Sequence, residues 1–490
     1  MDKEMIKNVV PSHTETFCFL IDIDEIEGQT TRIFQHHFCC RFLDSLPQEI
    51  AYEFIKKMSL KKFAKGDRII HQGKKLENFY LILKGICGVN VERADIFYDI
   101  DKLGSGEIIG AEALFNEKVS TAHVHAETDV ELLCMSGKQF EKLALEMPDL
   151  KSFMTSVLVH ILSSSKLPDN RMIGKYSVTN EIGHGGAGIV FKGAHSVLNM
   201  PVAIKMLTHE MSMDPDFIEL FRNEAKTIAL MNHPNIVKVY DIEEAYKTIF
   251  IIMEYLEGAT LDNVLENVEK LSLERIIDIT IQVCNGLEYA HNLGIIHQDI
   301  NPRNIFLQSD GRVKIIDFGL ACRRGSVDSN FLFPGSLHYI SPEQIQGNPV
   351  DERSDIYSLG ITVYEMLTGE KPYKVTEGKD ILKWHLEEDF DSANIYMENL
   401  PVELRNFFMK TIMKEPSERY ARVSEILKEL DPIAKRLKIE RPCFCRQNQM
   451  MGMFLVFQEE QQLLLKKYIE EFSRKISETG ASLKVMRFED

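Results

Sequence analysis

No apolar run in the 490 residues approaches the ~20 that a membrane-spanning helix needs, and the opening MDKEMIKNVV lacks a signal peptide's apolar stretch. A soluble, cytoplasmic protein is expected. Runs of Lys and Arg are also missing, and the formal net charge is −17. This weighs against nucleic acid or an anionic membrane as partner and assigns the acidity to solubility. No CxxC pair occurs among the nine scattered cysteines, an odd number that fits reduced thiols better than a disulfide framework. The densest group of metal-type side chains, HHFCC at His36 to Cys40, has no second pair at a zinc spacing, so a partly buried strand or loop is expected there.

The chain is long enough for about three domains. Its texture divides into an N-terminal extension (1–43), a strand-rich segment (44–165), a polar linker (166–175), a long mixed segment (176–437) and a short remainder (438–490). In the strand-rich segment, short β-type runs such as KGDRIIHQGKKLENFYLILKGICGVNV are punctuated by glycine, which argues a sandwich or barrel. LPQEIAYEFIKKM before it and SGKQFEKLALEMPDLKSFMTSVLVHIL after it carry apolar residues at helical spacing.

The pattern Gly66, Gln72-Gly73, Tyr80, Lys84-Gly85, Gly106-Glu107 and Gly110 resembles the cyclic nucleotide-binding domain, a β jelly roll flanked by helices. That resemblance implies a phosphate-binding cassette in which an Arg holds the cyclic phosphate and a Glu directly after a Gly holds the ribose. Here Gly110 is followed by Ala111, Glu112 is displaced by one position, and Ser120 stands where the Arg belongs. Each charged hydrogen bond lost is worth about 1.5 to 3 kcal/mol, so losing both would weaken a micromolar site about a hundredfold or more. Lys118 or His123 could compensate in part. Cyclic AMP or GMP is therefore not the expected ligand; a structural or dimerising jelly roll, or one tuned to another ligand, is.

From Tyr176 the pattern changes. EIGHGGAGIVFKGAH gives Gly183-x-Gly185-x-x-Gly188-x-Val190, a spacing that lets backbone amides approach phosphates. PVAIKML follows with Lys205 on an apolar strand. In DPDFIELFRNEAKTIALMN, Phe217, Leu220, Phe221, Ile228 and Met231 form one helical stripe with Glu224 on the same face. A carboxylate on a buried face needs a partner, and Lys205 is the obvious one. IFIIMEYL, HQDINPRN, VKIIDFGLA, GSLHYISPE, RSDIYSLGITVYEML and KEPSERY then follow in order. The helix opened by Asp355 is apolar nearly all round, so Asp355 needs buried donors.

This segment resembles the eukaryotic-like Ser/Thr protein kinases common in bacteria. The whole chain then reads as multidomain α+β: a jelly roll with helices, a bilobal protein kinase fold and a small α/β appendage. The resemblance implies an ATP site of Ile182, Gly183, Gly185, Gly186, Gly188, Val190, Ala203, Lys205, Met253, Glu254 and Leu256, and Mg²⁺ held by Asn304 and Asp317. It also implies a Lys205–Glu224 pair, Asp299 as the group that accepts the substrate hydroxyl's proton, and substrate positioning by Ser336, Glu343, Asp355 and Arg419. A protein substrate follows from the family.

HQDINPRN departs from the family at Gln298 and Asn301, where Arg and Lys are usual. Asn301 cannot steady a transferring phosphoryl group, whereas Arg303, four residues after Asp299, carries the charge to do so. Gln298 cannot read an activation-loop phosphate, and the usual phosphosite falls on Leu332, which points to a loop held by Phe331, Leu332 and Phe333. Control is then expected from the N-terminal domain, by masking the active site or by dimerising through the helix around FMTSVLVHIL. A non-catalytic, partner-binding scaffold is the alternative. The remainder, with MFLVF, a helical stripe of Leu465, Ile469, Phe472 and Ile476, and ASLKVMRF, reads as strand, helix, strand.

Overall fold

The computed structural model describes residues 18–22, 35–115, 119–185, 188–267, 270–318, 322–323, 337–373, 378–388 and 400–439. The expectations for Lys118, Leu332 and its neighbours, Ser336 and residues 440–490 lie outside them. Met1–Ile439 forms one compact unit.

Two four-stranded antiparallel sheets build the N-terminal jelly roll. One runs in the order Ser59–Phe63, Val130–Ser136, Asn78–Lys84, Ile108–Ile109, and the other Arg68–Ile70, His123–Ala126, Cys87–Arg93, Ile96–Leu103. Their facing sides bury Ile82, Val89, Val124 and Leu132. Helix Gln48–Lys56 precedes the barrel, and Gly137–Glu146 and Leu150–Ser164 follow it. The sequence pattern ran through the last two without a break. The chain divides them around Pro148, which has no amide hydrogen to donate. Ser136 and Gln139 cap the first reciprocally, which fixes where it starts.

Residues 166–175 are polar in sequence yet folded in structure. Pro168–Arg171 forms a 3₁₀ turn, and Met172–Ile173 pairs with Ser177 and Tyr176 as the first strand of the next sheet. Their polarity is consumed internally: Asn170 donates from Nδ2 to Glu112 at 2.8 Å and accepts from Thr121 Oγ1 at 3.0 Å.

The small lobe is a six-stranded sheet in the order Met172–Ile173, Tyr176–Gly185, Gly188–His195, Pro201–Met206, Thr248–Glu254, Val239–Ala245, with helix Pro215–Ala229 between its strands in sequence. The large lobe is helical. Leu273–Asn292 and Val423–Arg436 contribute to one apolar core, and Glu352–Thr368 is buried along nearly all its length. No helix among the described residues is long and apolar enough to cross a membrane.

The apolar core does not respect the boundary between the first two domains. Phe54, Leu114, Phe115, Phe153 and Val157 of the N-terminal domain belong to the same buried cluster as Ile173, Tyr176, Val178, Phe191, Tyr246 and Phe250 of the small lobe. Helix Leu150–Ser164, expected as a dimerisation element, buries Phe153, Met154, Val157, Leu158 and Ile161 inside this chain. These residues pack on Phe54 and Phe140 of the N-terminal domain and in the cluster shared with the small lobe. Phe153 is fully buried, with its ring centroid 5.2 Å from that of Phe54. Phe153→Ala is expected to destabilise by about 3 to 5 kcal/mol. Because the core is shared, calorimetry should show the N-terminal domain and small lobe shifting down together. A separate N-terminal transition that moves alone would refute the shared core.

Candidate active site

The cleft between the lobes begins at Gly183 and Gly185, which end one strand, and Gly188, which starts the next. Gly188 has φ +154°, and a Cβ there would lie 2.2 Å from the Met206 carbonyl oxygen, so only glycine fits. Gly186 lies outside the described residues, and Ile182 is exposed at the rim. Ala203 and Met253 are buried in one apolar cluster, with Val190 and Leu256 packed against it. This is a flat, apolar surface of the kind an adenine ring needs. The Glu254 carboxylate is turned away onto buried Lys314 and the Lys238 amide, so only its backbone faces that surface's edge.

Lys205, nearly buried, places Nζ 3.1 Å from both carboxylate oxygens of Asp317. The expected partner Glu224 sits on helix Pro215–Ala229, but its side chain is outside the described set. That helix does reach Lys205 through Phe221, whose ring centroid lies 5.6 Å from Nζ.

Asp299 is gripped at both oxygens. Asn301 Nδ2 donates to Oδ1 at 2.8 Å, and Asn304 Nδ2 donates to Oδ2 at 2.9 Å. Because a carboxylate can only accept, the atoms facing it must be the amide NH₂ groups. The side-chain oxygen of Asn304 is thereby left for another role, and with the Asp317 carboxylate it offers the neutral and anionic oxygen donors that suit a hard divalent cation. Asn301 was not picked out by the sequence as the holder of Asp299; its place two residues on is the only signal. Arg303 turns elsewhere: its Nε donates to Asp262 at 3.2 Å, and its side chain is 78% exposed.

Beneath the loop lies Asp355, fully buried. It accepts from the His297 amide at 2.8 Å, the Gln298 amide at 2.7 Å and His291 Nε2 at 2.8 Å. The backbone donors expected for it are therefore present, and His291 is an addition. Burial would raise its pKa, but His291 and the neighbouring His297 outweigh that and hold it below the usual carboxylate range. Gln298 has φ +67°, a left-handed conformation unfavourable for its side chain, and the bond from its amide to Asp355 helps hold it there. Buried His297 packs on Phe318 with ring centroids 4.4 Å apart, joining the loop to the Asp317 segment.

Glu343 and Arg419 meet as the sequence paired them. Arg419 donates from Nη1 and Nη2 at 2.8 and 2.9 Å, and Ser354 Oγ adds a third donor at 2.6 Å. Gln344 Nε2 donates to the Gln298 carbonyl at 3.0 Å, tying this segment to the catalytic loop. Ser336 lies outside the described residues.

In the N-terminal domain, Gly110 turns at φ +69° and Ala111 is buried. Ser120 Oγ donates to the Ala122 carbonyl at 2.6 Å, so the residue at the Arg position carries no charge and has spent its hydroxyl locally. His123 accepts from the Gln72 amide at 3.1 Å through Nδ1 and faces Glu92 through Nε2 at 3.1 Å, so both ring nitrogens are engaged. Among the described residues no group of three or more His, Cys, Asp or Glu side chains is gathered to hold a metal ion, and Cys40 is a buried free thiol.

A two-lobed fold with a glycine-lined cleft, a strand lysine and this Asp–Asn–Asp set defines a phosphotransferase class of site. The protein kinase domain model matches residues 176–430, more than half of the chain, and the cyclic nucleotide-binding domain model matches 60–146. The chain belongs to the protein kinase family. It is 38% identical over 261 residues to a probable serine/threonine-protein kinase of Clostridium acetobutylicum, covering 53% of this chain and 40% of that protein. It is 36% identical over 253 residues to serine/threonine-protein kinase PrkC of Bacillus subtilis (51% and 39%), and 35% identical over 264 residues to PknB of Mycobacterium tuberculosis (52% and 42%). The chain thus spans about two fifths of the length of these relatives.

The Asp355 clamp makes a pH prediction. A carboxylate whose folded pKa is depressed stabilises the fold fully above its unfolded pKa, about 4, and loses that contribution as pH falls through the folded value. Asp355→Asn should therefore cost about 3 to 5 kcal/mol at neutral pH, and the gap from wild type should narrow below about pH 4. A gap independent of pH in thermal melts would rule out the ionised clamp.

Proposed function

We propose that this chain is an ATP-dependent serine/threonine protein kinase that transfers the γ-phosphoryl group of ATP to protein hydroxyls. The observation that carries this is the Asp299 carboxylate held by two amides in the same site as the Lys205–Asp317 pair. Asp299 accepts the substrate hydroxyl's proton, the hydroxyl oxygen bonds to phosphorus, and ADP departs with the electrons of the broken P–O bond. Lys205 binds nucleotide phosphates, and the apolar surface around Ala203 and Met253 takes the adenine. Asn304 and Asp317 would hold Mg²⁺, which neutralises phosphate charge when bound. Serine and threonine as acceptors are supported by the names of the relatives and by the expected hydroxyl at Ser336. Radiolabel transfer from ATP with Mg²⁺ to a generic basic protein should yield phosphoserine and phosphothreonine, and Asp317→Ala should abolish it. Equal labelling by both proteins would move the reading to a scaffold, and mainly phosphotyrosine would overturn the acceptor class.

Arg303 supplies the positive charge that Asn301 lacks. Its exposed pair with Asp262 is worth about 1 kcal/mol or less, so the guanidinium can leave it for a transferring phosphoryl group. Arg303→Ala is expected to lower kcat by about ten- to 150-fold with little change in ATP affinity, and Asn301→Lys in that background to restore part of the rate. An unaltered kcat would remove Arg303 from the chemistry. The N-terminal domain, with Ala111 and Ser120 in its cassette, regulates this activity without ordinary cyclic nucleotide control.

A further inference from the structure

Tyr246 and Lys247 connect strands Val239–Ala245 and Thr248–Glu254 as a two-residue hairpin turn, with Ala245 paired to Thr248. Both have left-handed φ, 53° and 58°. Gly, Asn and Asp adopt that turn readily; Tyr and Lys hold it only where their surroundings compensate. Here Tyr246 is buried. Its Oη donates to the Asn170 carbonyl at 3.3 Å, its ring meets Phe115 edge-on at 5.5 Å, and its carbonyl accepts from His209 Nε2 at 3.0 Å. Lys247 Nζ lies 3.1 Å from Glu141 of helix Gly137–Glu146.

One of the residues that receive this turn, Phe115, belongs to the cassette, and another, Asn170, is bonded to it. Phe115 closes the 3₁₀ segment Ala111–Phe115 that begins directly after Gly110, and Glu112 of the same segment accepts from Asn170. His209 lies on the other side, in the short approach to helix Pro215–Ala229. Its amide donates to Thr155 Oγ1 of helix Leu150–Ser164 at 2.9 Å. Burial pushes its imidazole pKa down to about 4, so it stays neutral and bridges Thr155 and the Tyr246 carbonyl.

We propose that Phe115 of the Ala111–Phe115 segment, together with Asn170, forms a protein-docking socket occupied by the Tyr246–Lys247 turn of the chain's own small lobe, and that the docked turn braces the approach to helix Pro215–Ala229. The N-terminal domain is then a fixed part of the catalytic body, and whatever frees the turn loosens the helix that carries Glu224. The effect on rate rests on the kinase reading; the docking itself does not.

Full-length Tyr246→Asn tests this, because Asn tolerates the left-handed turn while the plug is lost. Backbone hydrogen exchange over residues 205–229 should rise about tenfold or more with the large lobe unchanged, and kcat should fall several-fold. Phe115→Ala should reproduce both changes, and the double variant should add little, as expected for two sides of one contact. Should either protein fail to fold, Tyr246→Phe removes only the hydroxyl bond and should raise exchange in the same segment to a smaller degree. Wild-type exchange at 205–229 in folded Tyr246→Asn would overturn the socket. Raised exchange with an unaltered rate would overturn the brace. If the wild type transfers no phosphate, the kinase reading fails while exchange still decides the docking.

Discussion

The carboxylate of Asp355 and the backbone of His297 and Gln298 depend on each other. A buried carboxylate deprived of donors is strongly destabilising, and a left-handed glutamine is held only where its surroundings compensate. Once the two are joined, Asp299 follows one residue later with its direction set, and Asn301 and Asn304 close on its two oxygens. Gln344 then takes the Gln298 carbonyl, which links the loop to the Glu343–Arg419 pair. The geometry of the site thus propagates outward from one helix end in the large lobe.

The small lobe is organised differently: Phe221 and Ala225 of its helix pack with Ile249 and Ile251 of its sheet, while other sheet residues join a core shared with the N-terminal domain. Ile173, Val178, Phe191 and Phe250 share one buried cluster with Phe54, Phe115 and Phe153. Removing the N-terminal domain would bare this surface to water, leaving an apolar patch of the kind that drives aggregation. Substitutions at single contacts report on coupling between the domains more cleanly than truncation does. The large lobe's cluster, which includes Ile279, Leu287, Ile356 and Phe407, extends to Ala203 and Met253 of the small lobe.

Much of this was legible in the sequence where function demands a fixed spacing. Gly188 must be glycine because of the Met206 carbonyl, and the Asp299–Asn304 spacing lets both groups meet. The need of Asp355 for donors followed from an apolar helix around an acidic residue. What could not be read were directions and partners. Arg303 has the charge for catalysis but rests on Asp262, because an exposed side chain takes whichever partner lies near it. Residues 166–175 looked like a loose connection because polarity alone does not distinguish solvated from internally bonded groups. The Tyr246–Lys247 turn carried none of the Gly or Asn signals of a left-handed hairpin, since its conformation is imposed by the pocket that receives it.

The two amides that hold Asp299 bear on how the site divides its tasks. A lysine at position 301 would both orient the carboxylate and bring positive charge to the phosphoryl group. Asn301 does the first through a neutral amide. On the proposed reading the charge comes from Arg303, whose bond to Asp262 is exposed and weak. Orientation is therefore built into the resting loop, and the same proposal has the compensating charge recruited only when a phosphoryl group is present to attract it.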